Sequence, residues 1–203
     1  MDRLLEMRHV LNRQLPEGAA PRPAVFVDRD GTLIAERHYL CDPDQVELLP
    51  GVGEAVRRLN EAGVPVIVVT NQSGVARGYF GMDAVDRVNQ RMAELLAAEG
   101  ARLDDVYVCP HQSGDGCNCR KPAPGMVEAA AATWNIALAD SFVIGDKPCD
   151  VDLGRVAGAT AILVRTGYGA LWENDDRCQA HAVFDGLLPA VEFVLQRLAA
   201  VTR

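Results

Sequence analysis

Ala24-Val25-Phe26-Val27-Asp28-Arg29-Asp30-Gly31-Thr32 is an apolar, β-branched run that stops at two aspartates one residue apart. The run reads as a buried strand and Gly31-Thr32 as the turn that ends it. Open parallel α/β sheets place their chemistry at such carboxyl ends of strands. An isolated Asp-x-Asp-Gly is as often a pair of solvated acids before a turn, so the rest of the chain has to decide.

Upstream, Leu4, Met7, Leu11 and Leu15 share one helical face and residues 16–23 read as a linker. Residues 1–23 are therefore expected to be an N-terminal helix and linker, and residues 24–203 a single domain. Downstream, residues 36–49 lack a helical period and read as a loop with a short turn. Val52, Ala55, Val56, Leu59 and Ala62 mark a helix, closed by Gly63 at the C′ position. Val64-Pro65-Val66-Ile67-Val68-Val69 is a buried strand that runs into Thr70-Asn71-Gln72-Ser73-Gly74. A helix carrying Val85, Val88, Met92, Leu95 and Leu96 follows, then a short strand at Val106-Tyr107-Val108 and a helix over 126–134. Phe142-Val143-Ile144 and Ala161-Ile162-Leu163-Val164 are further strands. Leu187, Leu188, Val191, Val194, Leu195 and Leu198 mark the closing helix. Five core strands alternating with helices predict an α/β fold, a Rossmann-like parallel sheet sandwiched by helices.

The chain has 203 residues, 49% of them hydrophobic, which suits one full-sized core. A net charge of −8 argues against a nucleic-acid or anionic-membrane partner. No apolar stretch approaches membrane-spanning length, and Asp2, Arg3, Glu6 and Arg8 break any signal-peptide run. A cytoplasmic location is expected.

Four polar clusters lie at or just after strand ends: Asp28-Arg29-Asp30, Thr70-Asn71, Arg120-Lys121-Pro122, and Gly145-Asp146-Lys147 with Asp150 beyond. In a parallel sheet these ends share one edge, so the clusters converge. Together they offer a carboxylate nucleophile, further acids, a hydroxyl and a cation, which suits phosphoryl transfer. Of the six cysteines, Cys109, Cys117 and Cys119 crowd around His111 with metal rather than disulfide spacing, and Cys41, Cys149 and Cys178 read as free thiols. Three Cys and one His fill a tetrahedral Zn²⁺ site with no position open for water, so this zinc would be structural. It would staple the loop 109–119 and thereby place Arg120 and Lys121. Arg29 should face away from the site, because neighbours on an extended chain point to opposite sides. Trp134 and Trp172 read as packing residues, and Cys149 as an unactivated thiol on a helix face.

The four clusters, in this order, resemble the motifs of the haloacid dehalogenase (HAD)-type phosphatases, over residues 24–169. The resemblance implies that Asp28 is a nucleophile forming an aspartyl-phosphate, and that Asp30 is the acid and base. Thr70 and Lys121 would hold the phosphoryl group. Mg²⁺ would be bound by Asp28, the Asp30 carbonyl and Asp146, with Asp150 acting through water. Family caps are inserted after the first motif or before the lysine motif. Here the first gap is a loop, and the second holds only a helix, a strand and the zinc loop, so a capless site is expected.

Cys109-Pro110-His111, Cys117-Asn118-Cys119-Arg120-Lys121-Pro122 and residues 69–78 narrow the resemblance to the heptose-1,7-bisphosphate 7-phosphatases and to the related histidinol-phosphate phosphatases. It implies that Glu36, Arg37, His38, Tyr39, Asn71, Gln72, Ser73, Arg120 and Lys147 shape the pocket for a small phosphorylated sugar. The short span from His111 to Cys117 is closer to the histidinol type, and His38 stands where a glycine is usual. A monomer or weak homo-oligomer is expected. The rival from another class is a zinc-stabilised binding module without catalysis, and a phosphomutase would normally need a cap.

Overall fold

The computed structural model describes residues 20–201. The helix expected on Leu4, Met7, Leu11 and Leu15 lies outside them. The elements in order are β1 (Val25–Val27), α1 (Val52–Glu61), β2 (Val66–Asn71), α2 (Met82–Ala98), β3 (Asp105–Cys109) and α3 (Gly125–Trp134), then β4 (Phe142–Gly145), α4 (Pro148–Val156), β5 (Thr160–Val164), β6 (Ala182–Phe184) and α5 (Leu187–Val201). The six strands form one sheet in the order β3-β2-β1-β4-β5-β6, every pairing parallel. Six strands replace the expected five. β6 has only three half-buried residues at the sheet edge, too short to leave a periodic signal. α4 carries Cys149, expected on a helix face, but the apolar period does not give its bounds. Its start is signalled by Pro148 in its first turn and by Asp150, whose carboxylate accepts from the Lys147 N–H.

β1 lies in the middle because every side chain from Ala24 to Val27 is fully buried, which only a doubly covered strand allows. Alternation sends Val25 and Val27 to one face, where Val56 and Leu59 of α1, Met92 of α2 and Val191 of α5 pack. Ala24 and Phe26 go to the other, against Met126 and Trp134 of α3 and Leu153 of α4. Each such buried aliphatic contributes roughly 1.5–3 kcal/mol, so the sheet has an apolar core on each face independent of its polar edge. Trp134 is buried and donates from Nε1 to Asp105 Oδ2 at 3.0 Å, a packing role. Arg22 joins the fold by pairing with Ile136.

β2 and β3 leave β1 on one side, and β4, β5 and β6 on the other. The chain's change of direction between β1 and β4 opens a crevice at the carboxyl ends of the central strands. The 28–51 connection holds a single 3₁₀ turn at Pro43–Gln45, and β2 is followed by α2, β3 and the cysteine-bearing loop.

Candidate active site

The crevice holds a cavity of about 340 Å³ lined by Asp28, Asp30, Thr70 and Lys121 among others. β1 ends one residue before Asp28, whose N–H still donates to Ile144 O of β4 at 2.9 Å, so the carboxylate leaves the sheet at its central edge. Register carries Thr70 to the same edge, since Val27 pairs with Val68 two residues earlier. Lys121 reaches in beneath them. Its ammonium lies 2.8 Å from Asp28 Oδ1 and 2.6 Å from Asp150 Oδ1, and donates to Val69 O at 2.8 Å. Burial alone would lower its affinity for the proton. Asp150 and then Asp28 outweigh that and hold it above the ordinary lysine range. The converse holds for Asp28: burial pulls its carboxyl up, and Lys121 with Lys147 brings it below the usual value.

Two side-chain amides order this edge. Asn71 accepts from the Lys121 N–H at 3.1 Å and donates to the Lys121 carbonyl at 3.3 Å, fixing the lysine's backbone. Gln72 Nε2 donates to Thr70 Oγ1 and to Asp30 Oδ2, both at 2.8 Å. Because Thr70 accepts there, its own proton is left for an acceptor in the cavity.

Asp28, Asp146 and Asp150, all buried, present carboxylate oxygens within 4.8 Å of one another. Asp146 Oδ2 accepts from the Tyr168 N–H at 2.9 Å, while its buried Oδ1 has no hydrogen-bond partner among the described residues. Burial pushes the Asp146 carboxyl up to about 7 against the pull of Lys147, with Asp28 and Asp150 adding repulsion. A buried oxygen that accepts no hydrogen bond among the described residues and has the Lys147 ammonium 3.6 Å away, among crowded carboxylates, fits a hard divalent cation such as Mg²⁺. The backbone leaves room for this. A Cβ at Gly31 (φ +85°) or Gly167 (φ +57°) would collide with the Asp146 carboxylate.

The second cluster stands where β3 ends. Cys109 Sγ lies 3.2 Å from Cys119 Sγ, 3.8 Å from Cys117 Sγ and 3.7 Å from His111 Nδ1, and His111 Nδ1 lies 3.3 Å from Cys119 Sγ. Ligands about 2.0–2.3 Å from one ion at tetrahedral angles stand about 3.3–3.8 Å apart, so the donor set fits Zn²⁺ and the spacings other than the tighter Cys109–Cys119 pair match it.

The other expected residues divide. Glu36, His38, Tyr39, Ser73, Arg120 and Lys147 line the cavity with Asn71 and Gln72. Arg37 does not, and pairs instead with Glu47 at 2.9 Å on the surface. Lys147 Nζ lies 2.9 Å from Glu36 Oε2, and Arg120 donates from Nη1 to His111 O at 3.0 Å. His38 and Tyr39 both hold positive φ, 47° and 65°, although neither is glycine. Arg29 stays out of the cavity, on the Val27 side of the sheet where Nη1 donates to Asn89 Oδ1 of α2, but its Nε and Nη2 also reach Asp30 Oδ2 and Oδ1, both at 3.1 Å. Asp150, expected to act on the metal through water, also touches Lys121 directly. Cys149 lies on α4 and in the cavity wall, and burial pushes its thiol up to about 12, in keeping with an unactivated thiol. Tyr168, which also lines the cavity, was missed. Arg165 and Thr166, which follow β5 directly, do not line the cavity, and only the Gly167-Tyr168-Gly169 run hinted at a close approach.

The class that this fold and edge define is that of the haloacid dehalogenase-like hydrolases. Residues 25–84 match the haloacid dehalogenase-like hydrolase model and residues 118–190 the HAD-hydrolase-like model. A D-glycero-D-manno-heptose-1,7-bisphosphate 7-phosphatase of Thermosynechococcus vestitus is 42% identical over 193 residues, covering 88% of this chain and 98% of that protein. The D-glycero-beta-D-manno-heptose-1,7-bisphosphate 7-phosphatase of Haemophilus ducreyi is 38% identical over 85% of this chain and 98% of its own. The solved D,D-heptose 1,7-bisphosphate phosphatase of B. bronchiseptica, complexed with magnesium and phosphate, superposes with a TM-score of 0.81 at 34% identity, covering 86% of this chain and 98% of that one. The chain belongs to the haloacid dehalogenase-like family, among the heptose-bisphosphate phosphatases.

Proposed function

We propose that the chain is a Mg²⁺-dependent phosphatase that removes the 7-phosphate of D-glycero-D-manno-heptose 1,7-bisphosphate. The observation that carries the reading is the Lys121 ammonium held between Asp28 and Asp150 at the switch point of the sheet. Asp28 Oδ attacks phosphorus and the bond to the sugar oxygen breaks, leaving an aspartyl-phosphate. Asp30 gives its proton to the departing oxygen and then takes one from the attacking water, which releases phosphate and restores Asp28. Thr70 and Lys121 donate to the phosphoryl oxygens. Asp28, the Asp30 carbonyl and Asp146 would hold Mg²⁺, which supplies neutralisation of phosphoryl charge when bound. Lys147, Arg120, Glu36, His38, Tyr39 and Ser73 would recognise the sugar and its second phosphate in an open, capless cavity.

We further read the Cys109, His111, Cys117 and Cys119 cluster as a structural Zn²⁺ site that braces the loop before Arg120 and Lys121. All four positions are protein ligands, so it would take no part in the reaction. Among the described residues no helix is long and apolar enough to cross a membrane, in keeping with a cytoplasmic enzyme acting on a small sugar phosphate. Steady-state kcat/KM on the two heptose bisphosphate anomers and on histidinol phosphate tests the reading. The heptose 1,7-bisphosphate should lead by at least tenfold, and a preference for histidinol phosphate would overturn the substrate assignment.

A further inference from the structure

Arg29 is fully buried and carries a charge that the fold does not need there. Replacing a buried ion pair by apolar residues of similar size is often neutral or stabilising, so stability does not explain its presence. Its contacts point elsewhere. Nε and Nη2 fork onto the two oxygens of Asp30, and Nη1 donates to Asn89 Oδ1 at 2.9 Å. Asn89 is itself buried, on the inner face of α2. A planar guanidinium gripping a carboxylate by two donors fixes both its position and its rotation. The Asp30 side chain is 15% exposed, enough to face the cavity, and among the described residues only Gln72 adds a further donor from the cavity side.

We propose that Arg29, braced from behind by Asn89, is the positioning residue that aims the Asp30 carboxyl at the oxygen of the leaving group. The inference rests on Asp30 being the acid of the proposed reaction. Nothing else in the sequence marks Asn89, which is one polar position on an otherwise core-facing helix surface. The clamp ties the acid to the packing of α2 instead of to the cavity rim, so its aim does not depend on the substrate.

An acid that is aimed wrongly matters most where the leaving oxygen is strongly basic. A sugar alkoxide needs the proton, whereas p-nitrophenolate leaves without much help. Asn89→Leu and Arg29→Met, with Asp30→Asn as reference, should therefore be assayed on heptose 1,7-bisphosphate and on p-nitrophenyl phosphate, with melting curves on the same samples. For Asn89→Leu we expect kcat on the sugar phosphate to fall about tenfold, part of the 10²–10⁴-fold range of general acid catalysis, with KM little changed and p-nitrophenyl phosphate turnover within about threefold of wild type. Arg29→Met should show the same selectivity more strongly. Equal losses on both substrates, or a lower melting temperature with no kinetic change, would overturn the clamp and leave Arg29 a fold staple. Should Asp30→Asn itself show no selectivity, the acid role beneath the proposal fails and the proposal with it. Selectivity in Asp30→Asn but not in the other two variants refutes the clamp alone.

Discussion

Lys121 Nζ lies 2.8 Å from Asp28 Oδ1 with both side chains almost wholly buried. The pair is the electrostatic centre of the edge: Asp28 remains ionised because Lys121 is there, and Lys121 remains charged because Asp150 and Asp28 are. Removing the cation leaves buried carboxylates facing one another. Lys121→Met should therefore abolish turnover and destabilise the fold by about 3–5 kcal/mol, the scale for breaking a buried pair. Denaturant unfolding with and without Mg²⁺ checks this, and the deficit should shrink in Mg²⁺. Unchanged stability would mean that the pair is solvated in a way the burial does not suggest.

Asp28 and Asp30 should fail differently. Asp28→Asn keeps the shape of the side chain and loses the phosphoryl acceptor, so it should fold normally and form no acid-labile phosphoenzyme. Asp30→Asn keeps the acceptor and loses the proton donor, slowing turnover by about 10²–10⁴-fold. Rapid-quench single turnovers separate the two. A verified Asp28→Asn sample with substantial activity would overturn the nucleophile.

Gly31 and Gly167 give a third test, because each holds positive φ against the Asp146 carboxylate. Gly167→Ala introduces both a strained backbone, of order 1–3 kcal/mol, and a collision with the proposed metal ligand. We expect Mg²⁺ affinity to fall by at least tenfold, while the sheet, with its separate apolar core, persists. Calorimetric titration of Mg²⁺ alongside circular dichroism measures both.

The clusters at Asp28, Thr70 and Asp146 could be read from the chain because each follows a β-branched run, and parallel topology sends all such ends to one edge, whereas Arg120 and Lys121 follow the cysteine-bearing loop. The same rule puts Arg29 on the Val27 side, beside α2, but does not give its grip on Asp30. Alternation holds only while the backbone is extended, and β1 stops at Val27. The bounds of α4 could not be read because Asp150, Asp152 and Gly154 interrupt its apolar period, although Pro148 marked its start. Arg37 looked like its pocket-lining neighbours, and only the loop's path shows it turned to Glu47. Asn89 and Tyr168 matter through contacts with residues 60 and 22 positions away, which no local pattern encodes.

Cys119 lies one residue before Arg120 and two before Lys121, so the proposed zinc site and the catalytic edge share a segment. Cys119→Ser should release Zn²⁺, since a neutral hydroxyl replaces a thiolate. The consequences differ for the two neighbours. Arg120 is anchored to His111, a member of the same cluster, and loses its aim with the loop. Lys121 has a separate anchor, because Asn71 holds its N–H and its carbonyl from the end of β2. Zinc loss should therefore raise KM more than it lowers kcat, with far-UV circular dichroism largely retained. Adding Asn71→Ala should then release Lys121 and bring kcat down by a further factor of about 10², the cost of misplacing a reacting group by about 1 Å. Zinc content, kcat and KM measured on the same samples decide it. A zinc-free Cys119→Ser protein with wild-type kcat/KM would show that the cluster does not brace the site.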